Sequence, residues 1–295
     1  MTSDQPQRPR GGHQGSNRGA GGPSRGQRPG GGPGGDRSGS DRNGRGGVDR
    51  DRPQRSDAPR DDVPRHDDPL VDDDVTTSEL ERGAWRELKA LTKENAEWVA
   101  GHLVMASRVI DDDPDRAHKH ALAAARRAGR IPVVRETVGI TAYLLADFAL
   151  ALRELRTYRR LSGVDDQLPL MVDCERGLGR PDKALELAGE VSKASLSPSV
   201  QVELAIARSG ARLDMGKPEL ALGELEIVQL DPNVAYKYSA ALFDSYAVVL
   251  QELGREEEAA LWGKRANIAA SAIREASGGD VDEMVVVEMP ETEEE

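Results

Sequence analysis

Apolar residues recur at helical spacing through the middle of the chain and are scarce towards its N-terminus. Leu80, Trp85, Leu88 and Leu91 begin the pattern, with the separations expected along one face of a helix. From residue 79 to 277 the chain is dense in Ala, Leu, Arg and Glu, which include the best helix formers. The pattern therefore predicts an all-α domain over residues 79–277.

Five short stretches within this domain are alike and predict internal repeats. Each follows a small or turn-tolerant residue, opens a helix and ends in alanine. The stretches are 113–117, 147–151, 180–184, 217–221 and 255–259, and the residues before them are Asp112, Ala146, Gly179, Gly216 and Gly254. The separations between the alanines at 117, 151, 184, 221 and 259 are 34, 33, 37 and 38 residues.

The residue types in these stretches suit a pair of antiparallel helices. Glycine in the turn adopts a positive φ and ends one helix, and proline opens the next helix without losing a needed N–H. We expect each alanine to lie where the two helices cross closely. The facing positions, twelve residues upstream, are Met105, Gly139, Val172, Ser209 and Ala247.

This pattern resembles the tetratricopeptide repeat family, in which two antiparallel helices form a unit of roughly 34 residues. The resemblance covers residues 95 to 270 and depends most on Gly139, Ala151, Gly179, Ala184, Gly216, Ala221, Gly254 and Ala259. It implies a right-handed helical-repeat superhelix, a tetratricopeptide-like solenoid of divergent repeats. An irregular helical bundle is the alternative fold.

The chain departs from the family pattern in two ways. Arg108 and Arg212 stand where the family often has tyrosine. The wider alanine separations predict extra helical turns or longer loops. The excess of Arg over Lys and the many alanines also suggest a GC-rich bacterial genome of actinobacterial type.

The resemblance implies a concave face lined by the first helix of each pair. By register with the family, we expect this face to bind a protein partner. Its residues would be Glu136, Ile140, Tyr143, Asp173, Arg176, Asp244 and Gln251. The alternative, that these side chains are only solvated helix positions, stays open for each of them.

The formal net charge of −12 is unevenly distributed along the chain. Residues 1–78 are rich in Arg, Gly and Asp, whereas residues 278–295 carry only acidic charges. Neither segment contains enough apolar surface to offset the entropy of ordering. The sequence therefore predicts two disordered tails, the first Arg/Gly-rich and the second acidic.

The Arg/Gly-rich tail suits weak, salt-dependent contact with RNA, because guanidinium groups bind phosphates and stack on bases. The arginines in question include Arg8, Arg10, Arg18, Arg25, Arg28 and Arg45. Interspersed aspartates dilute the positive charge, and no Phe or Tyr alternates with the arginines. A purely solvating tail is the alternative.

Catalytic and metal-binding patterns are missing from the sequence. It has neither a phosphate-binding Gly-rich loop ending in Gly-Lys-Ser/Thr nor a Gly-x-Ser-x-Gly elbow. His118 and His120 point to opposite sides of a helix, so we expect them and His102 to be solvated or partly packed. Cys174 is the only cysteine, and its apolar surroundings favour a packing role. We expect no catalytic residue, metal, cofactor or small-molecule substrate.

The most apolar window runs from Val138 to Leu152 and contains Asp147, so it is too short and too polar to span a bilayer. No secretory signal is recognisable at the N-terminus. These features predict a cytoplasmic protein without membrane contact. The sequence favours a non-catalytic protein–protein interaction scaffold, and an RNA- or ribosome-associated factor that binds through the N-terminal tail is the alternative.

Overall fold

The computed structural model describes residues 67–276 and 287–288. This part of the chain forms eleven α-helices: α1 (Arg82–Leu88), α2 (Lys93–Val109), α3 (Pro114–Ala128), α4 (Pro132–Leu144), α5 (Phe148–Ser162), α6 (Leu168–Gly177), α7 (Pro181–Ala188), α8 (Pro198–Asp214), α9 (Pro218–Leu225), α10 (Ser239–Glu252) and α11 (Glu256–Ala276). The all-α prediction is confirmed for these residues. None of these helices is long and apolar enough to cross a membrane.

The helices from α2 onwards pack as five consecutive hairpins. The closest partners are α2 with α3, α4 with α5, α6 with α7, α8 with α9, and α10 with α11. Each hairpin also packs on the next one along the chain, through α3 and α4, α5 and α6, α7 and α8, and α9 and α10. The short helix α1 packs against α2 and α4.

The turns inside the last three hairpins each contain a left-handed glycine. Gly179, Gly216 and Gly254 have φ values of 71°, 68° and 72°, a conformation that costs glycine little. Ala146, in the equivalent turn after α4, has a φ of 57°. The five repeat alanines that follow the turns are at most 2% exposed.

Small residues allow the paired helices to approach closely. A Cβ atom added at Gly139 of α4 would lie 2.6 Å from Cδ2 of Leu155 on α5. Leu155 is completely buried, so it has little freedom to move aside. The crossing of α4 and α5 therefore depends on glycine at position 139.

The two wider alanine separations coincide with longer connections. Residues 189–197 join α7 to α8 and contain a 3₁₀ helix, Lys193–Ser195. Residues 226–238 join α9 to α10 and contain β1, Val234–Ala235. This strand pairs antiparallel with β2, Val287–Glu288, with Val234 opposite Glu288 and Ala235 opposite Val287. These two paired residues lie in the segment predicted from sequence as a disordered acidic tail.

An acidic segment precedes the first hairpin and packs on it. We call residues 67–75 the acidic strap. Asp68 and Asp72 of the strap form ion pairs with Arg126 and Arg116 of α3, respectively. Asp74 pairs with Arg108 of α2. Val71 packs on α2 at Gly101, where an added Cβ would lie 3.4 Å from Cγ1 of the valine. The folded domain thus extends upstream of the boundary expected at residue 79, because charge pairing holds a segment that is poor in apolar residues.

Candidate interaction surface

Three residues of the predicted concave face meet in one hydrogen-bonded network. Tyr143 of α4 donates its hydroxyl to Oδ2 of Asp173 on α6, and Arg176, one turn further along α6, donates from Nη1 to Oδ1 of the same carboxylate. Arg176 also donates from Nε to Oδ2 of Asp214, at the end of α8, over 2.8 Å. We call these four residues the groove network. It joins the first helices of three successive hairpins.

Packing fixes the two ends of the groove network. Tyr143 makes an edge contact with Phe148, and their ring centroids are 5.7 Å apart. The guanidinium of Arg176 lies against α8 at Gly210, where an added Cβ would overlap Cζ of the arginine. A larger residue at position 210 would therefore displace Arg176 from its two carboxylates.

The surroundings of Tyr143 and Arg176 raise the pKa of both side chains. Burial, together with the hydrogen bond to Asp173, raises the pKa of Tyr143, so the phenol remains a donor. Burial opposes the charge on Arg176, but the hydrogen bond to Asp214 and the nearby carboxylate charges outweigh it and raise its pKa. The two carboxylates and one guanidinium leave a single net negative charge. The arrangement suits hydrogen bonding to a partner.

Glu136 and Ile140 precede Tyr143 on α4 and line a cavity of about 490 Å³. We call it the groove cavity. Most of its wall is apolar. It is contributed by α1, α2 with the residue after it, α4 and the segment before α1, and it includes Leu80, Leu103, Ile110 and Val133. Glu136, Ile140 and Tyr143 are spaced i, i+4 and i+7 and so share one face of α4. The groove cavity and the groove network are therefore neighbours along a single helix face.

Glu136 is a carboxylate of this surface whose pKa is raised by its surroundings. Its Oε1 accepts a hydrogen bond of 2.8 Å from Nε2 of Gln167. Burial raises the pKa of Glu136, and the like charges of Asp166, Glu87 and Glu81 raise it further, while the bond from Gln167 only partly opposes them. The ionised carboxylate is thus costly to the free protein.

The remaining predicted site residues are not part of this arrangement. Asp244 and Gln251 are exposed on α10, away from the residues of the groove network and of the groove cavity lining. The six arginines proposed for RNA contact, from Arg8 to Arg45, lie outside the described residues. The structure therefore brings together five of the seven predicted concave-face residues along α4 and α6.

Sequence reasoning missed Asp214, Gly210 and Gln167. The repeat register contained a signal for Gly210, which lies eleven residues before Ala221, as Asp173 lies eleven before Ala184. Asp214 and Gln167 do not share a register position with the predicted residues. Their roles depend on side-chain directions that the spacing does not specify.

The histidines correct one expectation from the sequence. His102 of α2 and His120 of α3 are buried, and their Nδ1 atoms are 2.9 Å apart, so neither is a solvated side chain. Burial, with the nearby charges of His120 and Arg127, lowers the pKa of His102 to about 4. His118 points the other way and pairs its Nδ1 with Oγ1 of Thr141 at 2.8 Å.

The described residues contain no cluster of three or more His, Cys, Asp or Glu side chains placed to hold a metal ion. Cys174 is completely buried between Asp173 and Glu175. Burial and these two neighbouring charges raise the pKa of the Cys174 thiol to about 12. Such a thiol is a poor nucleophile, as its apolar sequence context predicted.

No family model matches this chain, and no curated protein matches it either. Its function is therefore inferred from the geometry of the groove network and the groove cavity.

Proposed function

We propose that this chain is a non-catalytic protein–protein interaction scaffold. Its five hairpins would form a right-handed superhelix of divergent tetratricopeptide-like repeats, and its partner would lie along the first helices of the hairpins. The observation that supports this proposal is the groove network. It links α4, α6 and α8 through the half-buried Tyr143, Asp173 and Arg176 and the exposed Asp214. A partner would thus meet one continuous surface across three hairpins.

The groove network has the composition of a protein-binding surface. Tyrosine and arginine are among the residues enriched at the centres of interfaces. Tyr143 and Arg176 are held in position by Asp173 and by packing on Phe148 and Gly210, so little side-chain entropy is lost when a partner binds. The surface needs no cofactor, metal or small-molecule substrate for this function.

Affinity purification of the full chain tests the proposal. We expect the double variant Tyr143→Ala, Arg176→Ala to lose a partner that the wild-type chain retains. When the identified partner is titrated, its Kd should be weaker by at least about tenfold, because two central side chains of the interface are removed. The matched control is Glu186→Ala, an exposed residue on α7. A partner that binds the double variant and the wild type equally contradicts the proposal, provided that circular dichroism shows equal helix content.

Weak, salt-dependent RNA contact through the Arg/Gly-rich tail remains the second candidate function, favoured by the tail's composition. Replacing Arg8, Arg10, Arg18, Arg25, Arg28 and Arg45 by Gln in the full chain tests it. If the tail binds RNA, the six changes reduce the RNA that co-purifies at low salt. Equal RNA recovery from both proteins would eliminate this candidate.

A further inference from the structure

The groove cavity combines an apolar interior with excess negative charge. Its polar lining consists of Glu79, Glu81, Glu136 and Arg108, together with hydroxyl groups. Arg108 is already occupied, because it forms ion pairs with Asp74 at 2.9 Å and with Glu79 at 2.7 Å. The remaining two carboxylates therefore give this part of the surface a negative charge.

Glu136 and the carboxylates around it differ in the hydrogen bonds that stabilise their charges. Glu87 accepts a hydrogen bond of 2.8 Å from the backbone N–H of Val133, at the start of α4. Asp166 accepts one of 2.9 Å from the hydroxyl of Tyr158. Glu136 has only the amide of Gln167 as its hydrogen-bond partner among the described residues. Among these carboxylates, the half-buried Glu136 therefore gains most from a cation supplied by a ligand.

The rest of the groove cavity favours an apolar side chain. Leu80, Leu103, Ile110, Val133 and Ile140 line it. Its volume of about 490 Å³ falls within the range of about 300–1,000 Å³ usual for ligand pockets. An apolar group that enters would replace water against these side chains, which is favourable in proportion to the area covered.

We propose that the groove cavity binds a partner segment in which a leucine, isoleucine, methionine or phenylalanine is adjacent to a lysine or arginine. The apolar side chain fills the cavity, and the neighbouring cation pairs with Glu136. This proposal rests on the proposed function, since it names the kind of segment that the interaction surface recognises. The groove network then receives the continuation of the same segment along α4 and α6.

Charge decides between this partner and an acidic one. An acidic segment, such as the acidic strap of a second copy, would bring further carboxylates towards Glu136 and Glu81 and raise the electrostatic energy. A basic segment would supply a cation to Glu136, whose charged form is disfavoured by burial and by neighbouring carboxylates. Part of the binding free energy then comes from stabilising this carboxylate. Recognition by Glu136 thus provides specificity as well as affinity.

Peptide selection with the full chain tests the proposal directly. The probe is a random dodecapeptide library displayed on phage, selected in parallel on the wild-type chain, on Glu136→Gln and on the control Glu186→Gln. We expect the wild type and the control to enrich peptides with Lys or Arg next to a large apolar residue. Glu136→Gln should lose the preference for the basic residue.

Titration of one enriched peptide, labelled for fluorescence anisotropy, makes the test quantitative. We expect Glu136→Gln to weaken the Kd about tenfold or more, because a partly buried charge pair is lost. Ile140→Ala should also weaken binding, and Glu186→Gln should leave it unchanged. Glutamine keeps an oxygen for the bond from Gln167, so this variant retains the fold, which circular dichroism checks.

The outcomes separate this proposal from the proposed function. Peptides that lack a basic residue, bind Glu136→Gln as tightly as the wild type and depend on Arg176 would overturn the cavity proposal and leave the scaffold function standing. Enriched peptides that depend on neither Glu136 nor Arg176 would overturn both. A library that yields no enrichment on the wild-type chain would overturn the cavity proposal.

Discussion

At the scale of single residues, Glu136 and His102 affect stability in opposite directions as pH changes. Burial raises the pKa of Glu136 above its usual value of 4.5, so the stability it contributes is present at low pH and lost as pH rises. Burial lowers the pKa of His102 from 6.5 to about 4. Its contribution is present above about pH 6.5 and is lost as pH falls towards about 4.

Glu136→Gln should raise the melting temperature of the full chain near neutral pH, because glutamine carries no charge to desolvate. The difference from the wild type should shrink when the pH is lowered below the usual glutamate pKa of 4.5, where both side chains are neutral. Thermal denaturation followed by circular dichroism at the two pH values measures this. Identical melting temperatures at neutral pH would show that Glu136 is not strained in the free protein.

The wild-type chain should lose stability as the pH falls from about 6.5 to about 4. Over this range His102 binds a proton in the unfolded chain but stays neutral in the folded one, which favours unfolding. The double variant His102→Gln, His120→Gln removes both buried imidazoles and should show a shallower decline over this range. Chemical denaturation at a series of pH values gives the slopes. Parallel slopes for the two proteins would exclude the histidine pair as the cause.

At the scale of helices and turns, two helical glycines have contrasting environments. Gly139 faces Leu155 at the crossing of α4 and α5, whereas an added Cβ at Gly223 of α9 would meet nothing within 4 Å. The first position excludes a side chain, and the second only forgoes the helix propensity of alanine. Substitutions at Gly139 and Gly223 therefore distinguish the effect of close helix packing from the effect of glycine on helix propensity.

Gly139→Ala should lower the free energy of unfolding by about 1–2 kcal/mol, since the strain of overpacking exceeds the gain in helix propensity. Gly223→Ala, the matched control, should raise it by about 0.5–1 kcal/mol. Urea denaturation of both variants measures the two changes. A stabilising effect of Gly139→Ala would mean that α4 and α5 separate easily, contrary to the close crossing.

Much at this scale could be predicted from the sequence, for local reasons. Positive φ at Gly179 and a buried position for Ala184 follow from residue size and turn chemistry. The contact of Arg176 with Asp214, 38 positions apart, could not be predicted, because it depends on how two helices are rotated. The burial of His102 against His120 was missed for the same reason.

At the scale of the whole molecule, the acidic strap ties residues upstream of α1 to the first hairpin. Its ion pairs with Arg108 and Arg116 are partly exposed, and ion pairs at such positions contribute little to stability. Val71 provides the apolar contact, at Gly101. The strap is therefore held by weak interactions that salt screens.

The double variant Asp72→Asn, Asp74→Asn should increase amide hydrogen exchange in residues 67–80, because two of the ion pairs are lost. High salt should have the same effect on the wild type. Hydrogen-exchange mass spectrometry of the full chain measures both, with Asp115→Asn, an exposed residue of α3, as the control. Unchanged exchange in the double variant would show that apolar contacts alone hold the strap.

The succession of hairpins that pack on their sequence neighbours has a consequence for how the chain folds. Most contacts join residues that are near each other along the chain, so little loop-closure entropy is lost before contacts form. Chains rich in local contacts fold faster than chains dominated by non-local pairings. Each hairpin can also form while the remainder is still being synthesised, so apolar faces are covered soon after they emerge.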